Sequence, residues 1–176
     1  MKSFRLDPKK AALLIVDVQV KLFPLVEHPC EMMEKQVLLI KGCKFAHVPV
    51  YATEQYTKGL GETIDSLKSL VDSKNILPQK TKFSGASILP DYEQWIIAGI
   101  EAHVCVQQTV YDLIKAGKQV VVVNDAISSR SIYDFSTAIA EIRDYGARLS
   151  STEAVIFELL QDSNHPNFKS FSQLIK

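Results

Sequence analysis

The stretch WIIAGIEAHVCVQQTVYDLIKAGKQVVVV, residues 95–123, decides the fold, because it places two apolar strands on either side of one helix. Trp95–Ile100 and Gln119–Val123 are nearly continuous apolar runs, which are typical of strands buried on both faces. Val104–Ala116 has the length of a helix and is followed by Gly117, a common residue just past a helix end. A strand, a crossover helix and a second strand predict a βαβ unit and a parallel sheet.

The same alternation of strands and helices continues on both sides of this unit. The other predicted strands are Ala11–Val16, Val48–Thr53, Asn75–Pro78 and Ala147–Ser150, and the other predicted helices are Glu31–Cys43, Thr63–Val71, Ser131–Tyr145, Thr152–Leu160 and Phe168–Ile175. Right-handed crossovers leave few topologies for such a chain. The sequence therefore predicts an α/β fold, a three-layer doubly wound (Rossmann-like) sheet of about six parallel strands in the order 3-2-1-4-5-6, within one domain spanning residues 1–176.

Composition and charge narrow the classes of function. Of the 176 residues, 47% are hydrophobic and 23% are charged, and 20 Lys and Arg balance 20 Asp and Glu. This is the composition of a globular protein, and a zero formal net charge gives no reason to expect nucleic acid or an anionic membrane as a partner. Three scattered cysteines do not form a disulfide framework, and no apolar run approaches the roughly 20 residues of a membrane helix. We therefore expect a cytoplasmic protein with free thiols that acts on a small molecule.

Three residues at predicted strand ends carry reactive groups. Ligands of a doubly wound sheet bind outside the carboxyl ends of the strands, and Asp17, Lys82 and Cys105 follow the first, third and fourth strands. Because Cys105 lies in the first turn of a helix, the amides there would stabilise its thiolate, and Asp17 could accept its proton. Each residue also has an ordinary explanation: Cys105 as a small buried side chain, Asp17 as a helix cap and Lys82 as a solvated loop lysine.

Taken together, several segments resemble the isochorismatase-like cysteine hydrolase superfamily. LLIVDVQVKLF (residues 13–23) looks like its opening strand with an Asp-x-Gln element, KTKFSG (80–85) resembles its lysine segment, and residues 99–130 resemble its nucleophile segment and the strand that follows. The resemblance runs from about residue 11 to the C-terminus. Within it, TEQYTKGLGET (53–63) and the tail from residue 150 are similar to the isochorismatase domain-containing subgroup.

The resemblance implies a mechanism with Cys105 as nucleophile, Asp17 as base and Lys82 as activating cation. It also implies a non-proline cis peptide bond at Ile100–Glu101, so that the backbone amides of Glu101 and Cys105 would form an oxyanion hole. The implied reaction acylates Cys105, releases an amine or ammonia and hydrolyses the thioester. Four residues are expected to bind the substrate, although core packing or loop contacts explain them equally well: Gln19, Phe23, Gln55 and Tyr56.

Departures from the better known family members limit the substrate. Nicotinamidases carry a metal-binding Asp-x-His…His element after the second strand, where this chain has TEQYTKGLGE without a histidine, so we expect neither that activity nor a metal. Members that act on isochorismate lack the nucleophilic cysteine. The first strand is not followed by a Gly-rich turn, so no dinucleotide or other cofactor is expected. The remaining interpretation is a hydrolase of a small amide-type (C–N bond) substrate.

Three further polar residues follow the fourth and fifth predicted strands. His103 is interpreted as a structural or pocket-wall residue, and Asp125 and Arg130 as loop and cap residues after the fifth strand. Because members of the family often form oligomers, we expect a homo-oligomer. Two other functions stay open: a catalytically silent interaction protein that retains the triad as inherited structure, and a redox-active thiol protein that uses Cys105.

Overall fold

The structure, a computed structural model, describes residues 4–175 and is built on one parallel β-sheet. Its strands are β1 (Ala11–Val16), β2 (Val50–Thr53), β3 (Gln94–Ile100), β4 (Gln119–Ser128) and β5 (Arg148–Ser150), in the order β2-β1-β3-β4-β5. All four strand pairings are parallel. The prediction of an α/β fold with a parallel, doubly wound sheet is therefore confirmed, with five strands instead of six.

The missing strand is the predicted third one, Asn75–Pro78. At this place the chain makes an isolated parallel bridge between Ile76 and Ala52, and so lies beside β2, where the predicted order put it. The side-chain amide of Asn75 donates to the carbonyl oxygen of Val50, and Pro78 has no N–H to offer a ladder. These two features explain why the segment remains irregular while keeping its position at the sheet edge.

Helices cover both faces of the sheet. They are α1 (Pro29–Phe45), α2 (Thr57–Leu60), α3 (Asp65–Lys68), α4 (Gln107–Lys115), α5 (Ile132–Tyr145), α6 (Thr152–Leu160) and α7 (Phe168–Ile175). Alternate residues of β1 point to opposite faces, so Leu13 and Ile15 join a core with α1, α6 and α7, whereas Leu14 and Val16 join a core with α4 and α5. None of the helices described within residues 4–175 is long and apolar enough to cross a membrane.

Some predicted boundaries were wrong. The helix expected over Thr63–Val71 is the single turn α3, and the helix expected from Val104 begins as a π-helical turn, Ala102–Val106, before α4. The helix predicted from Ser131 is α5, whose cap is Ser131. A π turn inserts one extra residue per turn and is common at functional sites. This turn carries Cys105.

Candidate active site

Asp17 lies directly after β1, at the carboxyl edge of the sheet, and is completely buried. Its φ of 48° lies in the left-handed region, which Asp tolerates better than most residues. One carboxylate oxygen, Oδ1, accepts a 2.8 Å hydrogen bond from Thr53 Oγ1, and the other, Oδ2, lies 2.6 Å from Lys80 Nζ. Two donors thus compensate a carboxylate that would be costly to bury alone.

The lysine in contact with Asp17 is Lys80, and the predicted Lys82, two residues later, does not reach this carboxylate. Lys80 is 6% exposed, and besides Asp17 its ammonium contacts Gln55 Oε1 at 2.8 Å and the carbonyl oxygen of Phe83 at 2.9 Å. Lys82 has an exposed side chain, and only its carbonyl oxygen approaches Lys80 Nζ, at 3.3 Å.

The register of the lysine segment explains this difference. Lys80 forms a parallel bridge with Gln55, just beyond β2, which turns its side chain toward the end of β1. Lys82 lies in the loop that follows and faces solvent. The pattern Lys-Thr-Lys supplies two candidates, and only the register against β2 decides between them.

Cys105 lies in the π turn between β3 and α4 and is 6% exposed. Burial raises the pKa of its thiol to about 12, the Asp17 carboxylate raises it as well, and the Lys80 ammonium lowers it. The sequence predicted a lowered thiol pKa from the helix start, whereas removing the charged sulfur from water raises that pKa by more than the nearby cation lowers it. Both members of the Asp17–Lys80 pair therefore act on the pKa of this thiol.

Thr109 connects the lysine loop to the cysteine turn. Its hydroxyl donates a 2.6 Å hydrogen bond to the carbonyl oxygen of Cys105 and accepts a 2.9 Å bond from the amide of Gly85. Thr109 is fully buried, so both bonds are shielded from water. Sequence reasoning missed this residue, because a threonine inside a helix carries no signal of its own.

Glu101 lies between β3 and the π turn, and the peptide bond Ile100–Glu101 is cis, as the resemblance implied. Its carboxylate is 3% exposed and accepts hydrogen bonds from Arg130, whose Nε lies 3.0 Å from both carboxylate oxygens and whose Nη2 also donates to Oε1. His103 approaches the same carboxylate, with Nε2 at 3.5 Å, while its Nδ1 lies 3.0 Å from Ser129 Oγ. Arg130, expected to be a loop or cap residue, therefore belongs to the site.

Gly99 allows the two strand ends that carry these groups to approach each other. It pairs with Val16 and has a φ of 119°, and a Cβ atom placed on it would lie 2.2 Å from the carbonyl oxygen of Val16. Only glycine fits that approach. Asp17 follows Val16 and Glu101 follows Ile100, so the close contact brings both carboxylates to the same edge of the sheet.

A cavity of about 120 Å³ opens over Cys105. Four of its lining residues are apolar, and the others are Cys105, a carboxamide and one pair of opposite charges: Leu22, Leu60, Phe83, Val104, Gln55, Glu101 and Arg130. Asp17 and Lys80 are not among the lining residues, but Lys80 contacts two residues that are, Gln55 and Phe83.

The residues expected to bind substrate divide into one that lines this cavity and three that do not. Gln55 lines it. Gln19 is fully buried and has a structural role instead: its amide group donates to the carbonyl oxygens of Gln55 and Gly61 and accepts from the amide of Gln55. Phe23 packs against the core, and Tyr56 is 52% exposed.

Asp125, expected as a loop or cap residue, falls within β4, and its Oδ1 caps the start of α6 by accepting from both the amide and the hydroxyl of Thr152. A larger cavity of about 170 Å³ lies between α1 and the end of β4, and the described residues that line it include Ser128 and Ser129 but no cysteine. In residues 4–175, no group of three or more His, Cys, Asp or Glu side chains is arranged to hold a metal ion. The candidate site is therefore the small cavity over Cys105.

Comparisons with known proteins show the family and the fold. The family model described as "Isochorismatase domain" matches residues 11–154. Isochorismatase domain-containing protein 2 of Danio rerio is 35% identical, over 97% of this chain and 89% of that protein. The structure described as the MAR1 ribonuclease of Caenorhabditis elegans matches with a TM-score of 0.92 and 38% identity, over 98% of this chain and 92% of that one.

A further solved structure bears on assembly. The YcaC gene product of Escherichia coli, described as an octameric hydrolase of unknown specificity, matches with a TM-score of 0.82 and 26% identity. The match covers 99% of this chain and 97% of that chain. The likeness therefore extends over the whole sheet and the helices that flank it.

Proposed function

Because the chain belongs to the isochorismatase domain family, we propose that it hydrolyses small amide-type substrates, with Cys105 as nucleophile, Asp17 as base and Lys80 as positioning cation. One observation carries the proposal: a buried Asp17–Lys80 pair acts on a protonated thiol at the wall of a small cavity. A structural cysteine has no need of such a pair, since burying two charges is itself costly.

Proton transfer is the central requirement of this site. A thiol with a pKa of about 12 is a poor nucleophile at pH 7, so it needs a base that removes its proton as it attacks. Asp17 is the carboxylate that acts on this thiol, and Lys80 holds Asp17 Oδ2 at 2.6 Å. The two ionic partners thus divide the work: Asp17 takes the proton, and Lys80 orients Asp17 and balances its charge.

The proposed reaction has two halves. In the first, the sulfur of Cys105 attacks the amide carbonyl carbon, the thiol proton moves to Asp17, and the carbonyl electron pair moves to oxygen. Collapse of this intermediate breaks the C–N bond, and the amine or ammonia leaves with the proton from Asp17. In the second, water attacks the thioester and gives its proton to Asp17, the C–S bond breaks, and the proton returns to sulfur. The net change is amide plus water to carboxylic acid plus amine.

Backbone amides stabilise the oxyanion in this proposal. The amides of Glu101 and Cys105 belong to the turn that presents the sulfur, so an oxygen on the attacked carbon would lie beside them. Preorganised donors of this kind contribute roughly 10²–10³ in kcat. The side chain of Cys105 then supplies the nucleophile, and the side chain of Glu101 pairs with Arg130.

The proposal extends to the assembly of the protein and its location in the cell. The octameric state described for the YcaC gene product of Escherichia coli supports a homo-oligomer here. Exposed apolar side chains at the start of α5, Ile132 at 60% and Tyr133 at 83%, offer area for such an interface. Cys30, Cys43 and Cys105 are all free thiols, which fits a cytoplasmic protein.

Ribonuclease activity is the alternative raised by the Caenorhabditis elegans relative. A ribonuclease needs cations for phosphate groups, whereas the one cation that lines the Cys105 cavity is paired with Glu101. The walls of the cavity are otherwise mostly apolar. We therefore prefer amide hydrolysis and include RNA as a substrate in the test.

The test measures ammonia release from a panel of small primary amides. Wild-type protein should release ammonia, Cys105→Ala should not, and Cys30→Ala, which removes an exposed thiol that does not line the cavity, should match the wild type. Mass spectrometry of the wild type after rapid quenching should show an acyl adduct on Cys105. Cleavage of RNA that survives in Cys105→Ala, without any amide hydrolysis by the wild type, would refute the proposal.

A further inference from the structure

The charges around the Cys105 cavity suggest what kind of acyl group it accepts. The lining contains one carboxylate and one guanidinium, and these two groups neutralise each other: Arg130 Nε lies 3.0 Å from both oxygens of Glu101. We propose that the Glu101–Arg130 pair makes this cavity selective for amides with a short, uncharged acyl group. The inference rests on the proposed function of Cys105 and names its substrate class.

The geometry of the pair explains why neither residue recognises a charged substrate. Arg130 uses Nε and Nη2 on Glu101, which is the bidentate geometry that a substrate carboxylate would otherwise occupy. Glu101 is 3% exposed on its side chain and also faces His103, so its charge is covered from a second direction. An incoming anion therefore finds its receptor already filled by a carboxylate of the protein.

The rest of the lining favours the same class of substrate. Leu22, Leu60, Phe83 and Val104 form apolar walls, and the remaining polar group, Gln55, is neutral. A charged acyl group would leave water without gaining an unpaired opposite charge, which is costly, whereas an alkyl group gains from contact with these walls. The Asp17–Lys80 pair does not change this balance, because it too is neutral as a pair and does not line the cavity.

The volume limits the length of the acyl group. Drug-sized ligands occupy pockets of roughly 300–1,000 Å³, and this cavity has about 120 Å³. A cavity well below that range fits a short acyl group better than a long one. Propionamide and butyramide carry short neutral acyl groups, succinamate adds a carboxylate, and succinamide has as many non-hydrogen atoms as succinamate but no charge.

Alkylation of Cys105 tests the selectivity without depending on hydrolysis. Iodoacetamide and iodoacetate differ mainly in that the second carries a carboxylate, and exposed Cys30 in the same chain reports their intrinsic reactivities. Peptide mass spectrometry yields the rate constant of each reagent at each cysteine. We expect the iodoacetamide-to-iodoacetate ratio at Cys105 to exceed that at Cys30 by about tenfold or more. Equal ratios at the two cysteines would overturn the proposal.

Variants assign the selectivity to the ion pair. Glu101→Gln removes the competing carboxylate and leaves Arg130 free. The iodoacetamide-to-iodoacetate ratio of rate constants at Cys105 should therefore fall toward the ratio at Cys30. His103→Gln removes the other contact of Glu101 while leaving Arg130 paired, and it should keep the wild-type ratio. A Glu101→Gln ratio equal to that of the wild type, in a protein with an unchanged near-UV spectrum, would show that the pair does not set the selectivity.

Hydrolysis measurements separate this proposal from the one on which it rests. If the wild type hydrolyses succinamide and succinamate with equal kcat/KM, the nucleophile is supported and the selectivity for neutral groups is refuted. If it hydrolyses none of the amides while Cys105 still prefers iodoacetamide, the cavity is selective for neutral groups and the proposed amide hydrolysis is refuted. The expected result is a preference for succinamide over succinamate of about tenfold or more, reduced in Glu101→Gln.

Discussion

Two ion pairs lie near Cys105, Asp17–Lys80 and Glu101–Arg130, and they differ chiefly in their exposure to water. In the first, Asp17 is 0% and Lys80 is 4% exposed on the side chain; in the second, Glu101 is 3% exposed but Arg130 is 56% exposed. In our proposal the first pair handles the sulfur proton, and it does not line the cavity, whereas the second pair does. A fully buried pair is suited to moving a proton under tight control, and a half-exposed pair is suited to meeting a ligand as it enters.

The largest effect is expected from replacing Asp17, the buried base of the proposed mechanism. Asp17→Asn should lower kcat/KM for butyramide by roughly 10²–10⁴, the contribution of a general acid–base group. Because the carboxylate raises the thiol pKa, its loss should also move the midpoint of the pH profile for Cys105 alkylation by iodoacetamide downward from the wild-type pKa of about 12. Steady-state kinetics and the labelling profile measure both effects. A large fall in kcat/KM without any shift of the midpoint would mean that Asp17 acts on something other than this thiol.

The next test compares two lysines of the same loop. Lys80→Met leaves the Asp17 carboxylate buried without its ionic partner, which should reduce the free energy of unfolding by about 3–5 kcal/mol. It should also move the Cys105 midpoint upward, because Lys80 lowers that pKa. Lys82→Met is the matched control and should change stability by less than about 0.5 kcal/mol, since its side chain is exposed.

Chemical denaturation and the same labelling profile give these values. If Lys82→Met shifted the midpoint while Lys80→Met did not, the original assignment of Lys82 would be restored. A loss of stability in Lys80→Met without any shift of the midpoint would limit Lys80 to a structural role. Either outcome would remove the buried pair from the chemistry proposed for Cys105.

The positions of the site residues in the structure show which of them the sequence could predict. Asp17 and Cys105 follow apolar runs long enough to mark strand ends, so their meeting follows from the sheet order alone. The choice of Lys80 depends on one bridge to Gln55, and the role of Arg130 depends on how the end of β4 approaches Glu101. Such contacts arise from register and loop path, which hydrophobic periodicity does not encode.

The raised thiol pKa illustrates the same limit in electrostatics. The position of Cys105 near a helix start predicted a stabilised thiolate, because the local sequence shows the amides and the dipole. Burial depends on what packs around the turn, and here it dominates. A local pattern therefore marked Cys105 as the candidate nucleophile, but it could not show the burial that raises the thiol pKa.

Thr109→Val tests the link between the lysine loop and the cysteine turn. Valine has nearly the same shape but leaves the carbonyl oxygen of Cys105 and the amide of Gly85 without their partner, so stability should fall by about 1–3 kcal/mol. Thr109→Ser keeps the hydroxyl and should lose less. If the link positions Lys80 against the thiol, Thr109→Val should also reduce kcat for butyramide, whereas a purely structural bond would change only the unfolding free energy.

The smallest expected effect concerns the half-exposed pair. Arg130→Gln should lower the free energy of unfolding by only about 1 kcal/mol, because water screens a guanidinium that is 56% exposed. Glu101 keeps the nearby ring of His103 at 3.5 Å, so its carboxylate is not left without a neighbour. Chemical denaturation of Arg130→Gln beside Lys80→Met compares the two pairs directly. A loss in Arg130→Gln as large as in Lys80→Met would mean that both pairs hold the fold together, and exposure would then no longer distinguish a proton-handling pair from a selecting one.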